Sequence, residues 1–280
     1  MYASTVRGLL VRGMLAGLIA GLLAFAVAYT VGEPPVDDSI AVEEAQAAQA
    51  APAAAEAPAA EGAHAGHGGA ASAEEEEEEL VSRDVQSTAG LATGVLVYGV
   101  ALGGIAALAF SFALGRVGRF GPQATAALTA AAVFVTVYLV PFLKYPATPP
   151  AVGNPDTIGK RTSLFFLMIL LSVLLGVAAI IVGRRLASRL GNWNATLAAG
   201  GGFVVAVALA FVFLPGNGDS VQDGFPAALL WEFRLASLAV QALLWTAFGI
   251  VFGILAQRFL APRPVDAEPA ATEQRTPAFG

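Results

Sequence analysis

The sequence predicts an all-α fold: a polytopic membrane helix bundle of about six transmembrane helices, with a disordered acidic loop after the first. Three observations carry this expectation. Apolar residues make up 56% of the 280 residues and charged residues only 13%, with a mean hydropathy of +0.69. A soluble domain carries about 25% charge, so an ordinary water-soluble globule is excluded. Six stretches are also long and apolar enough to cross a bilayer, since ~30 Å of hydrocarbon at ~1.5 Å per residue calls for about 20 residues. Finally, no stretch alternates as the strands of an outer-membrane barrel do, and helices satisfy their own backbone groups in lipid.

The first stretch, 9–31, has basic residues before it and glycines at a four-residue spacing, Gly13, Gly17 and Gly21. That spacing is a pattern of close helix packing in lipid. Arg7, Arg12 and the triplet Ala26-Val27-Ala28 also suit a signal peptide, but a run of about 23 apolar residues exceeds the usual signal core of about 7–15. A retained helix is the expectation, and cleavage leaves five spans in the same orientation. Residues 1–31 therefore form the first unit. Residues 32–88 read as a disordered Ala/Glu-rich extracytoplasmic loop, because Ala, Glu, Gln, Pro and Gly with the run 74–79 of glutamates bury too little apolar surface to offset chain entropy.

The remaining spans, 91–114, 125–143, 164–183, 196–214 and 227–257, make a five-helix membrane domain over 89–260. Gly99/Gly103 and Gly249/Gly253 repeat the small-residue spacing, and Gly200-Gly201-Gly202 allows a bend or a close approach. Residues 261–280 are polar and Pro-rich and read as a disordered cytoplasmic tail. Basic residues set the orientation. With the N-terminus inside, ten arginines lie in inner segments, against five basic residues outside (Arg83, Lys144, Lys160, Arg161, Arg234). Of the 21 acids, 18 fall outside. The expectation is a multi-pass plasma-membrane protein with both termini cytoplasmic.

Two outer segments hold the candidate chemistry. The connection from Pro141 to Thr162 carries prolines 146, 149, 150 and 155, and proline fixes φ and removes a donor, so this loop is stiff. Lys144, Tyr145 and Arg161 fall at the membrane edge; either they anchor at the interface, as such residues do, or they line a rigid vestibule. Asn154 and Asp156 add oxygen ligands. The second segment leads into the last helix. There Glu232 and Arg234 fall near the outer interface and Gln241 falls deeper. Glu232 and Arg234 are two residues apart and point to different helix faces, so each needs its own partner. The pairing expected for Glu232 is with Lys144 or Arg161. These eight residues, Lys144, Tyr145, Asn154, Asp156, Arg161, Glu232, Arg234 and Gln241, are the translocation-path candidates.

His64 and His67 are the only histidines. Imidazole suits transition metals, which makes them secondary metal-ligand candidates, but glycine and alanine surround them and two ligands leave a coordination shell incomplete. The absence of cysteine excludes disulfides, thiolate metal sites and iron–sulfur clusters. Gly153 to Lys160 lacks the spacing of a phosphate-binding loop, so no nucleotide is expected. No nucleophile–His–acid set lies within the helices and no nucleic-acid pattern is present, so neither an enzyme nor a nucleic-acid binder is expected.

The blocks Pro141-Phe142-Leu143-Lys144-Tyr145-Pro146, Pro149-Pro150-Ala151-Val152-Gly153 and Leu230-Trp231-Glu232-Phe233-Arg234 resemble the CbtA family of cobalt transporter subunits. The resemblance covers most of the membrane region and omits the Ala/Glu-rich insert. It implies cobalt uptake linked to vitamin B12 synthesis and a small single-span CbtB-like partner subunit with a histidine-rich motif. On this reading the chain is a membrane subunit for divalent cation uptake. Cobalt(II) is its transported ion, and no cofactor is permanently bound. The alternative is a non-transporting membrane scaffold or sensor that organises a partner protein.

Overall fold

A computed structural model describes residues 3–55, 82–153, 157–216, 221 and 224–261 of the chain. Among these residues five continuous helices are long and apolar enough to cross a membrane. They are α1 (Ala3–Gln49), α2 (Arg83–Ala113), α3 (Pro122–Lys144), a trace over Ile158–Phe213, and a last helix, Ala227–Leu260. The trace Ile158–Phe213 is broken at Gly191, whose φ of 75° and ψ of 163° lie outside helical space. That backbone region is open essentially to glycine alone. The chain reverses there, because Gly183 packs on Ala199 and Gly176 on Phe203. The two arms are α4 (158–190) and α5 (192–213), and Ala227–Leu260 is α6. Each arm is long enough to cross, α5 at about 33 Å. The chain therefore makes about six passes, as the hydropathy predicts.

The closest helix contact joins α1 to α2. A Cβ on Gly17 would stand 2.1 Å from the Gly99 carbonyl oxygen, and one on Gly103 2.5 Å from that of Gly13. Only hydrogen fits at such positions, so the two backbones touch, as the four-residue glycine spacing predicts. Around this seam α6 packs on α1 and α3. Its Phe248 stacks on Phe252, and Phe252 meets Phe110 of α2 edge-on at 5.0 Å between ring centroids. Leu9, Ala16, Ala20 and Ala126 complete this core. A second core lies to one side, where Val140 and Tyr145 meet Met168, Val207 and Ala210 of the α4–α5 hairpin. The hairpin touches mainly the latter half of α3, and its outward faces present Trp193, Val204, Val212 and Phe213. In a bilayer those faces meet lipid.

The two ends of the bundle differ. At one, the terminal end, the Arg12 guanidinium lies 3.8 Å from the Phe259 ring centroid and donates to the Gly8 carbonyl at 2.8 Å. At the other, the loop end, Val42 of α1 packs with Ala151 and Val152 of the Pro-rich connection and with Phe225, Leu229 and Leu230 at the start of α6.

The bounds of the loop expected over 32–88 narrow: among the described residues the helix begun by α1 continues to Ala55 and α2 begins at Arg83, while residues 56–81, which include the glutamate run, lie outside the described residues. Two physical causes account for it. Residues 33–55 are rich in alanine, the strongest helix former. They also gain tertiary support: Pro35 and Ser39 are buried and Val42 joins the loop-end cluster. Pro34 and Pro35 are tolerated because a π turn over Ala28–Gly32 precedes them and accommodates the break in the hydrogen-bond ladder. Arg83 then ties α2 to this extension. It pairs with Glu33 and, at 2.7 Å, with Asp37.

Candidate functional site

The loop end builds a site from the termini of α3, α5 and α6. Pro141 lies within α3 and donates no backbone hydrogen bond. A π turn over Phe134–Leu139 precedes it. The wider turn is accompanied by a bond from the Ser172 hydroxyl of α4 to the Thr136 carbonyl. Tyr138 lies in the same turn, its ring stacked between Phe134 and Phe142 at 6.1 and 5.5 Å.

Beyond α3 the Pro-rich connection is held by three hydrogen bonds to carbonyl oxygens. Lys144 Nζ donates to Phe211 at 2.8 Å and the Tyr145 hydroxyl donates to Pro215 at 2.7 Å. Both acceptors lie at the end of α5, where a cation also meets the negative end of the helix dipole. Burial pushes the Tyr145 phenol above its ordinary pKa, so it remains a donor at neutral pH. From the other side, Arg234 Nε of α6 donates to the Ala147 carbonyl at 3.3 Å, its guanidinium 5.8 Å from the Trp231 ring.

Under this connection lies a cavity of about 420 Å³. Tyr138 and Phe142 of α3, Tyr145 and Thr148 of the connection, and Arg161 and Thr162 of α4 line it. Gly153 leaves the space that Arg161 occupies, since a Cβ there would stand 2.6 Å from the guanidinium. Arg161 Nη1 also reaches 3.5 Å from Thr148 Oγ1.

The expected residues divide as follows. Tyr145 and Arg161 line the cavity. Lys144 and Arg234 lie beside it and hold its roof through main-chain carbonyls. Glu232 is exposed and has no ion pair among the described residues, so the expected pairing with Lys144 or Arg161 does not form. The reason is that Lys144 reaches the end of α5, and Arg234, two residues from Glu232, takes the face toward the connection. Asn154, Asp156, His64 and His67 lie outside the described residues. Among the described residues no group of three or more His, Cys, Asp or Glu side chains could hold a metal ion.

Gln241 is placed inside the bundle and is joined by residues the sequence did not single out. Trp245 follows one turn further along α6 and is 3% exposed. Three buried atoms here, Tyr138 Oη, Gln241 Oε1 and Trp245 Nε1, have no hydrogen-bond partner among the described residues. A tyrosine or tryptophan counts as apolar in a hydropathy window, so the only sequence signal for this set is Gln241.

A family model described as "Probable cobalt transporter subunit (CbtA)" matches residues 6–257. No curated protein and no solved structure matches the chain.

Proposed function

The chain belongs to the CbtA family of probable cobalt transporter subunits, and from that premise we propose that it is the membrane subunit of a divalent-cation uptake system whose ion is cobalt(II). The match across residues 6–257 carries this reading. The loop end is the extracytoplasmic mouth and both termini are cytoplasmic, following the basic-residue bias of the sequence. A doubly charged ion entering a negative interior gains about 4.6 kcal/mol per 100 mV, twice the single-charge value. The membrane potential therefore supplies the driving force, and the chain itself needs no nucleotide.

The cavity beneath the Pro-rich connection is the entrance. Tyr145 and Thr148 offer neutral oxygens there, beside the Arg161 guanidinium. Asn154 and Asp156 continue the same connection in sequence and supply further oxygen ligands. Lys144 and Arg234 act on the path indirectly, by holding the roof. A single-span CbtB-like subunit is the proposed partner.

The test is cobalt accumulation in cells that lack other cobalt importers, with this chain and its partner supplied together. The expected result is accumulation above the empty-vector level, collapsed by a protonophore that discharges the membrane potential. Accumulation equal to the empty vector overturns the reading.

A further inference from the structure

At the terminal end, the turn between α4 and α5 carries positive charge with nothing beside it to balance that charge. From Val85 to Pro155 and from Thr157 to Gly218 the chain contains no Asp or Glu. Arg184, Arg185 and Arg189 close α4, and all three are exposed. Arg185 and Arg189 stand four residues apart and share one helix face. Other arginines of this end are engaged, Arg12 by the Gly8 carbonyl and the Phe259 ring and Arg116 by the Phe112 carbonyl at 2.9 Å. The side chains of the three at the turn make no hydrogen bond or ion pair among the described residues. Trp193, just past the break at Gly191, is 74% exposed. The apolar run of α4 closes at Gly183 and that of α5 opens at Thr196. At ~1.5 Å per residue, Arg184, Arg185 and Trp193 therefore lie within about 5 Å of the hydrocarbon edge, at the level of the lipid phosphates. Below them the hairpin stands off from the bundle. It packs on Phe134–Lys144 of α3, whereas Pro122–Val133 is not among its main neighbours. Val177, Ile181 and Leu197 of the hairpin and Leu128 of α3 are accordingly exposed.

We propose that the α4–α5 turn is a binding site for an anionic phospholipid. Arg184, Arg185 and Arg189 hold its phosphate, and its acyl chains lie along the apolar half of the hairpin next to the turn. Charge complementarity at one depth carries the assignment. A guanidinium presents a planar fork of N–H donors that matches phosphate oxygens, and basic residues beside an anionic leaflet are stabilised there. A zwitterionic lipid offers the same phosphate but brings an ammonium group, which three arginines without a neighbouring acid repel. Trp193 suits the same level, since the indole ring has an apolar body and one polar N–H and prefers the headgroup region. A protein helix covering this face would have to answer the three arginines with acids of its own, whereas a lipid answers charge and apolar surface together. The site does not depend on the transport reading, and with basic residues inside it lies in the cytoplasmic leaflet.

The experiment uses the purified full chain in phosphatidylcholine vesicles. The chain has three tryptophans. Trp231→Phe removes the exposed one at the loop end, and the buried Trp245 gives a constant background, so changes in emission report the lipids around Trp193. Phosphatidylglycerol brominated near the headgroup end of its acyl chains is the probe, compared with an equal share of identically brominated phosphatidylcholine. Quenching is expected to give a relative association constant of about three or more in favour of phosphatidylglycerol. Arg184→Gln/Arg185→Gln/Arg189→Gln should make the two lipids quench equally. Arg7→Gln/Arg119→Gln/Arg258→Gln removes the same charge from exposed arginines elsewhere at this end and should leave the preference intact. Equal quenching of the parent by the two lipids overturns the proposal, whether or not the variants fold. A loss of the same size in both triple variants also overturns it, because the attraction then belongs to the whole basic end and not to the turn. So does full competition by soluble glycerol 3-phosphate, which would mean a site for a free anion.

Discussion

Arg234 and Glu232 are neighbours in sequence with opposite circumstances. Arg234 is partly buried and bonds the Ala147 carbonyl, whereas Glu232 is exposed without an ion pair among the described residues. A hydrogen bond to a charged group is worth about 1.5–3 kcal/mol, and exposed substitutions usually fall within about 0.5 kcal/mol. Arg234→Ala is therefore expected to lower the thermal midpoint of the purified protein, and Glu232→Gln to leave it unchanged. A fall in the Glu232 variant as large as that in the Arg234 variant would mean that Glu232 has a partner of its own, as the expected pairing with Lys144 or Arg161 requires. The side-chain identities on this helix were legible in the sequence. Which of the two reaches the connection was not, because helix rotation is set by the packing of α6 on α1 and α3.

Each helix contact makes its own demand on glycine. A side chain at Gly17 collides with the Gly99 carbonyl, while nothing lies within 4 Å of the position a Cβ would take at Gly94. Gly17→Val is expected to abolish recovery of monodisperse protein after detergent extraction. Gly94→Ala should be neutral or slightly stabilising, as removing a helix glycine gains up to about 1 kcal/mol. Normal recovery of Gly17→Val would show that the α1–α2 seam is not required for assembly. Gly191 is constrained differently, by its φ of 75°. Gly191→Ala should lower the midpoint by an amount corresponding to about 1–3 kcal/mol of backbone strain, and Gly200→Ala, with open space around it, should not. Equal midpoints for the two would mean that the turn between α4 and α5 is not held in that conformation.

At the level of the molecule, the ends of the bundle carry the topology. The chain contains no cysteine, so single-cysteine variants report on an otherwise unaltered background. Asp38 lies on the α1 extension at the loop end and Arg116 follows α2 at the terminal end, both exposed. In intact cells a membrane-impermeant maleimide should label Asp38→Cys and spare Arg116→Cys until the membrane is opened. The reverse pattern inverts the orientation and with it the direction in which the cavity faces. The same layout explains why α1 is so long. Its 47 residues span about 70 Å, more than twice the hydrocarbon core, and the excess packs along the start of α6 and receives Arg83 from α2.

The sequence by itself determined that the chain is helical, that it crosses the membrane about six times, and that glycines mark the α1–α2 seam. These properties are sums over twenty residues or repeats at fixed spacing, so single-residue errors average out. It left the residues after Val31 as loop because composition alone underweights alanine's helix propensity and omits the neighbour that supports them. Tertiary structure alone decided that Lys144 and Arg234 grip main-chain carbonyls instead of carboxylates, and that polar atoms of Tyr138, Gln241 and Trp245 are buried without a partner among the described residues. Tyr138 on α3 lies more than a hundred residues of chain before Gln241 and Trp245 on α6, and two of the three are aromatic rings whose single polar atom has meaning only once its surroundings are known.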